Sequence, residues 1–492
     1  MNSEEVGLRS IGTLRFTREI RDPIYGYIHI TNFENDIIDS NIFQRLGRIH
    51  QMPTAHMAYP SGTYSRKTHS LGVMHLVHRA MLHILYLHSP GIQRRISPLF
   101  FGRPVVIKED KDRYVQHLDQ EIGSEWWDKK NLESIMQYSR IAALLHDIGH
   151  APFSHTFEEA SSFLFDERLV TRRFDHEAAG REVITSMAKD LKIKEPFDQE
   201  QVVDLLTEKG KSPAFIRDII SGPFDCDKLD YLMRDAHHLG TPEYGNIDCE
   251  RIIDGMRVKE SKLCISSSSL HALMNSFRAI QSMYTAIYYH RTSRIFDFMI
   301  QDALCQVPDL VEEISTSVKN LMKYDDSSII CEIRKRSRRR NETAKNYREA
   351  YMFLENVLER KKKYKCILEY PVMFPIGMER DAEAQLEEIK PIITDRLSFH
   401  GSTLRVDFRP TIRPIGIDLH NIRDWLRSKV IYAEDGELRS LREISKAYHD
   451  ELCQYIIILR VFIDRESYET YENTIKERMS DIKDEIVSKL YD

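Results

Sequence analysis

The stretch 146-HDIGHAPFSH-155 places three histidines and an aspartate within ten residues, directly after the apolar run 141-IAALL-145. Titratable side chains are costly to bury unless hydrogen bonds or opposite charges satisfy them, so partners must come from elsewhere in the chain. His146 and Asp147, neighbours at the end of an apolar helix, can bracket one cation between an imidazole nitrogen and a carboxylate oxygen. That mixed donor set suits Fe, Mn or Zn and argues against Mg or Ca as the sole ion. Two donors are too few. His69, in 64-YSRKTHSLGVMHL-76, and Asp227, in 221-SGPFDCDKLDYLMRDAHHLG-240, are the candidates to complete the set.

These residues need helices to carry them. From Ser70 to His88, Leu71, Met74, Val77, Met81, Leu82 and Leu85 recur at a spacing that predicts one apolar helix face. Helical patterns are also expected at about 34–52, 132–148, 156–167, 175–190, 199–220, 226–237 and 268–322, with a closing helical run over 440–490. The segment 22-DPIYGYIHI-30 suits a short hairpin, and 364–374, 403–410 and 428–433 read as strands. Residues 99–131 break the helical pattern and read as an insertion, with Trp126 and Trp127 fitting an oligomer contact or a local core. The expected class is therefore mostly α: a helical core over 1–325, then a smaller α+β region over 326–492, regulatory or oligomerising in role.

Composition narrows the function. A 492-residue chain with 42% hydrophobic and 30% charged residues is ordinary globular protein, and a net charge of −6 argues against a surface that grips nucleic acid all over. Seven scattered cysteines without a CxxC spacing point to a reducing compartment and to neither a disulfide framework nor a thiolate metal site. The N-terminus has no apolar core of a signal peptide, and the longest apolar runs, such as 454-QYIIILRVFI-463, are too short to span a membrane. A cytoplasmic protein is expected. The basic run 334-RKRSRRR-340, with 359-ERKKKYK-365 nearby, reads first as a solvated face. Its sharper reading is an anion site for a nucleotide effector or single-stranded nucleic acid.

The stretches DPIYGYI, IIDSNIFQRLGRIHQM, SRKTHSLGVMHL, HDIGHAPFSH, DHE and DCDKLDYLMRDAHHLG occur in that order between about residues 20 and 300. A lone HD dipeptide would carry no weight, but the ordered set resembles the HD superfamily of metal-dependent phosphohydrolases. Within it, the set is most similar to the deoxynucleoside triphosphate triphosphohydrolases. The segment 425-WLRSKVIYAEDGELRSLREISKAY-448 resembles that family's C-terminal lobe, and no SAM domain is expected ahead of the core.

The resemblance implies an HD-domain helical core in which His69, His146, Asp147 and Asp227 hold the metal, with Mg accompanying the substrate phosphates. It implies a catalytic group of His150, His155, Glu158 and His176, with glutamate at 158 where the family carries aspartate. Arg66, Lys228, Tyr231 and Asp235 match substrate contacts, and an arginine or lysine in a dry cleft is the natural clamp for a triphosphate. Gln51 and Met52 match the pair that crowds a ribose 2′-hydroxyl, with Met where leucine is usual, and Tyr288 and Tyr289 match positions near sugar and base. One phosphate-binding arginine of the family is Ile280 here, with Arg278 as a substitute. Asp39 and Gln44 match part of a guanine-specific activator site, but Gly47 replaces its arginine, so guanine activation is not carried over. Family members form dimers, tetramers or hexamers, and a homo-oligomer is expected.

Three functions compete. The first is hydrolysis of a dNTP to the deoxynucleoside and inorganic triphosphate. The second is a phosphodiesterase or nuclease using the same metal site on oligonucleotides. The third is a nucleotide-sensing regulatory protein whose site binds without turnover.

Overall fold

The structure is a computed structural model that describes residues 10–11, 14–84, 132–190, 198–207, 210–339, 343–375, 379–407, 426 and 428–491. The expected insertion at 99–131, with Trp126 and Trp127, lies outside the described residues, as does Arg340 of the basic run.

A three-stranded sheet opens the fold: the two residues Ser10–Ile11 pair antiparallel with β1 (Leu14–Asp22), which forms a hairpin with β2 (Gly26–Thr31). The sequence pattern placed this hairpin at 22–30; its first strand begins earlier, at Leu14. The expected helix over 34–52 is two short ones, Asn32–Ile38 and Asn41–Arg45; α1 (Arg66–Leu82) follows and lies at the centre of the core between α2 (Leu132–Leu145) and α7 (Cys226–Leu239). Sequence periodicity suggested a single apolar face for α1, yet the helix is buried nearly all round, with His69, Ser70, Gly72 and His78 inside as well as Leu71, Val73 and Met74. A helix enclosed on all sides must bring its polar partners with it.

Between these lie α3 (His155–Asp166), α4 (His176–Asp190), α5 (Gln199–Leu205) and α6 (Ala214–Ser221). The expected single helix over 199–220 is thus two, the second entered through Pro213, whose fixed φ suits a helix start better than an interior. After α7, β3 (Met256–Lys259) and β4 (Lys262–Ser266) form a hairpin, followed by α8 (Leu270–Met283). The expected long helix over 268–322 breaks at a π-helical turn, Tyr284–Tyr288, before α9 (Arg291–Cys305) begins at the His290 cap.

The first hydrophobic core does not stop at residue 325. α10 (Asp326–Ser337) and α11 (Ala344–Leu358) add Ile329, Ile333, Tyr347 and Leu354 to it, and α11 packs on α9. Beyond them, β5 (Tyr364–Pro375), α12 (Glu379–Leu397), β6 (Leu404–Asp407), β7 (Ile431–Tyr432), β8 (Leu438–Arg439), β9 (Gln454–Asp464) and α13 (Arg465–Tyr491) build the α+β part. Its three-stranded sheet runs β5-β9-β6, all antiparallel. A second core of Leu368, Val372, Ile393, Val461, Ile463 and Ile482 lies between that sheet and α12 and α13.

β9 corrects the expected helical run over 440–490. It is the central strand: Val461 and Ile463 face the second core, while Phe462 faces the first and meets Phe298 edge-on at 5.2 Å. A strand covered on both faces reads as a continuous apolar run, which periodicity alone cannot tell from buried helix. A further sheet, β3-β4-β7-β8, pairs β4 with β7 in parallel (Ile265 with Ile431), so the C-terminal region contributes a strand beside the first core. Among the described residues, no helix is long and apolar enough to cross a membrane.

Candidate active site

α2 ends at Leu145, and His146 and Asp147 sit in the turn that follows. His146 Nδ1 lies 2.8 Å from the Ala143 carbonyl, which can only accept, so Nδ1 carries the proton and Nε2 presents its lone pair. That Nε2 is 3.4 Å from Asp147 Oδ1 and 3.7 Å from Asp227 Oδ1. His69, on α1, donates from Nδ1 to Asp230 Oδ2 at 2.8 Å, which turns its Nε2 toward the same point, 2.8 Å from Asp227 Oδ1 but off the hydrogen-bond direction. His69 Nε2, His146 Nε2 and an Asp147 oxygen lie close enough together to hold a divalent transition ion, and Asp227 Oδ1 stands beside both nitrogens. Donors at about 2.0–2.2 Å from one tetrahedral ion stand roughly 3.4 Å apart, and the imidazole–carboxylate distances here are 2.8, 3.4, 3.7 and 3.9 Å.

Close approach makes this set. Gly72 lies three residues along α1 from His69, and a Cβ there would overlap the Asp230 carboxylate and the Arg234 guanidinium of α7. Asp230 is held in turn by Arg234 at 2.9 and 3.0 Å and by the Tyr25 hydroxyl at 2.7 Å, and Arg234 reaches Asp22 at 2.8 Å. Asp230 and Arg234 were not singled out from sequence. Their signal was the i, i+3 and i+4 spacing from Asp227 and Asp230 together with an otherwise unexplained glycine inside α1.

Without an ion, burial works against charge on the His69 ring, yet the Asp227 and Asp230 carboxylates raise its pKa to about 10; metal binding at Nε2 would have to displace that proton. Burial alone would push Asp147 up, but His146 and the Arg66 guanidinium, whose Nη1 donates to Asp147 Oδ2 at 2.5 Å, hold it well below the carboxylate range. Arg66 also donates from Nε to Ser154 Oγ at 2.7 Å. It is a clamp on the turn as well as a cation in the cleft.

A second group lies beside the first. Glu158 on α3 uses one oxygen for His155 Nδ1 at 2.7 Å and the other for His176 Nδ1 at 2.6 Å. Burial opposes charge on His176 and on Glu158, but their pairing wins, raising the histidine pKa and lowering that of the glutamate. His150 is different: burial, Arg66 and His176 drive its pKa well down, and it stays neutral. Its ring stacks on His176 at 4.0 Å and 13°, an approach made by Gly149, where a Cβ would strike the His176 carbonyl and the Gly180 backbone. One nitrogen from each of His150, His155 and His176 lies within 4.8 Å of the others, so these three rings are a second place that could hold a cation. Glu158 pairs with Nδ1 of two of the three rings and leaves their Nε2 atoms free, an arrangement that also suits proton transfer.

The cleft beyond these groups holds about 1250 Å³. On α7, Lys228, Tyr231 and Asp235 line its wall as one row, while Asp230 and Arg234 form the row behind. Lys228 Nζ donates to Asp225 Oδ2 at 2.6 Å and to the Gly222 carbonyl at 3.0 Å. Asp235 accepts the hydroxyls of Tyr64 and Tyr288; burial, only partly offset by those hydroxyls, raises its pKa to about 6. Gln51, Met52 and, from the π-helical turn and its exit, Tyr288 and Tyr289 complete this end. Arg278 does not line the cleft: it pairs with Glu451 at 2.6 and 2.7 Å, and Ile280 is buried. The arginines on the wall are Arg66, Arg181, Arg217 and Arg294.

An HD-domain profile matches residues 114–231, a span that contains every one of these cleft histidines except His69, and an HD-associated-region profile matches 247–387. The chain is an HD-superfamily protein. This HD protein is 27% identical over 481 residues to the uncharacterized protein MJ1154 of Methanocaldococcus jannaschii, covering 96% of the chain and 85% of that protein. It is also 27% identical over 345 residues to the human deoxynucleoside triphosphate triphosphohydrolase SAMHD1, covering 62% of the chain and 48% of that enzyme. The HD protein thus spans about half the length of that relative. Its fold matches a solved phosphohydrolase from Bacteroides thetaiotaomicron with a TM-score of 0.62 at 20% identity, over 91% of the chain and 99% of that structure.

Proposed function

We propose that this HD protein hydrolyses deoxynucleoside triphosphates, releasing the deoxynucleoside and inorganic triphosphate. The observation that carries the reading is the convergence of His69 Nε2 and His146 Nε2 on Asp147 and Asp227 at the side of a cleft lined by Lys228, Tyr231, Asp235 and Tyr288. The similarity to SAMHD1 supports the substrate class.

In this reading His69, His146, Asp147 and Asp227 hold an Fe, Mn or Zn ion, which when bound polarises a phosphoryl oxygen and acidifies water. Arg66 and Lys228 receive the phosphates, and their own carboxylate partners keep both cations preorganised. Water supplies its hydroxyl to the α-phosphorus and the bond from phosphorus to the 5′-oxygen breaks. The 5′-oxygen must then gain a proton. In this reading His155 gives it from Nε2, which the Glu158 contact with Nδ1 supports by leaving Nε2 free, and His176 shares the same carboxylate as a reserve of positive charge. Neutral His150 keeps Asp147 company without adding charge beside the metal donors.

Gln51 and Met52 set the sugar, and the Asp235 carboxylate, between two tyrosines, offers a hydrogen-bond acceptor to its hydroxyl. A homo-oligomer is part of the reading, as closed symmetric assembly is the common case for soluble enzymes, and light scattering tests it. The deciding experiment incubates the metal-loaded protein with the four dNTPs, the four NTPs and a single-stranded oligonucleotide. Deoxynucleoside plus triphosphate from dNTPs is expected. Cleavage of the oligonucleotide alone would replace the reading by a phosphodiesterase, and no cleavage by a nucleotide sensor.

A further inference from the structure

Several hydrogen bonds leave the candidate site for Tyr324, Asp325 and Asp326, a trio at the N-terminus of α10 that no motif marks. The buried Arg45 guanidinium donates to the Tyr324 carbonyl at 2.6 Å and to the His150 carbonyl at 2.7 Å. Asp325 caps α10 by accepting the Ser328 N–H at 2.9 Å and pairs with Arg48. Asp326 reaches further. Its Oδ1 accepts the Phe153 N–H at 2.8 Å; its Oδ2 accepts the His50 N–H at 2.9 Å and lies 2.8 Å from His50 Nδ1.

Both ends of this contact matter. Phe153 and Ser154 have φ of 60° and 51°, a conformation that residues other than glycine keep only when their surroundings hold them there. The next residue is His155. Across the carboxylate, His50 is followed directly by Gln51 and Met52. Asp326 is buried, so a lost hydrogen bond here would not be replaced freely by water.

We infer that Asp326 is a positioning residue whose two oxygens fix the His155 loop and the Gln51–Met52 segment relative to each other. Proton transfer and sugar selection then share one anchor, on a helix that neither touches substrate nor holds metal. The kinetic consequence rests on the proposed dNTP hydrolysis; the anchoring itself does not.

The test compares wild type, Asp326→Ala, Asp326→Asn and Asp325→Ala, all metal-loaded, with dATP and ATP. Asp326→Ala should lower kcat on dATP by about tenfold or more while KM stays within about threefold, and should narrow the preference for dATP over ATP. Asp326→Asn, which keeps one acceptor oxygen, should fall between. Asp325→Ala removes only the cap and the Arg48 pair, so its melting temperature should drop with kcat within about twofold of wild type. Backbone hydrogen exchange over residues 150–156 is followed in the same samples, and it should rise in Asp326→Ala but not in Asp325→Ala. An unchanged kcat in Asp326→Ala, or an equal loss in both alanine variants, overturns the inference. If wild type turns over no dNTP, the functional reading has failed instead, and unchanged exchange at 150–156 would then sink the anchor too. Should Asp326→Ala not fold, Asp326→Asn carries the same measurements.

Discussion

His69 Nδ1 donates to Asp230 Oδ2 at 2.8 Å, and this hydrogen bond decides which edge of the ring faces Asp147 and Asp227. Burial would raise the Asp230 pKa, but Arg234 and His69 bring it down to about 2, so Asp230 acts as a fixed acceptor. Asp230→Asn should weaken metal binding about ten- to a hundredfold, the usual cost of losing such an outer partner. Competition with a chromophoric chelator measures this. Unchanged affinity would mean that His69 is oriented by packing alone.

His146 has a simpler environment, with Ala143 O as the partner of Nδ1 and Nε2 facing the carboxylates. His146→Ala should therefore lose bound metal and hydrolysis with little change in melting temperature. Elemental analysis showing full occupancy would remove His146 from the donor set.

Glu158→Gln keeps the shape of the His155–Glu158–His176 group and deletes its charge. The rate should fall about a hundredfold, in the range of general acid–base effects, with KM little changed. His176 owes its raised pKa to Glu158. The alkaline limb of the kcat profile should accordingly move to lower pH in the variant. A profile that keeps its wild-type position would argue against a shared proton reserve.

Met52 is buried and lines the cleft; with the sugar bound there as proposed, a 2′-hydroxyl would press on apolar carbon. Leaving that hydroxyl unpaired costs about 1–3 kcal/mol, so dNTPs should be preferred to NTPs by roughly ten- to a hundredfold. Met52→Gly should narrow the ratio chiefly by raising activity on NTPs. Equal turnover of ATP and dATP by the wild type would place the sugar elsewhere.

The hydrogen bond that His50 Nδ1 donates to Asp326 outweighs burial and raises the His50 pKa above its ordinary value. A raised histidine pKa means that the protonated ring stabilises the folded state fully below the unfolded value near 6.5 and progressively less as pH rises through the folded value. The melting-temperature gap between wild type and His50→Gln should be largest in mildly acidic buffer and close at alkaline pH. A gap that grows with pH would contradict the pairing.

Much of the cleft was legible because its polar residues cluster where apolar periodicity predicts buried helix. HDIGHAPFSH and DCDKLDYLMRDAHHLG both put titratable groups into such stretches, and the structure brings the two together. Less legible were the residues that act through others. Asp230, Arg234 and Asp326 look like ordinary charges in sequence, and only long-range packing gives them partners more than a hundred residues away, as between Asp326 and Phe153. Gly72 and Gly149 carried the missing clue, since each marks a backbone approached too closely for a side chain. The strand over 454–464 was hidden for the opposite reason: burial on both faces erases the alternation by which strands are recognised.

The parallel pairing of Ile265 with Ile431 has a bearing on how the protein is made. Every candidate metal donor, from His69 to Asp227, leaves the ribosome well before the segment Ser428–Val430 that completes the cleft wall. At about 5–20 residues per second, β4 would wait roughly 10–30 s for its second neighbour, with one hydrogen-bonding edge open to solvent. The nascent chain could gather its metal donors during that interval, yet it would do so around a half-built cavity. Vectorial synthesis thus delivers the reactive groups first and their enclosure last.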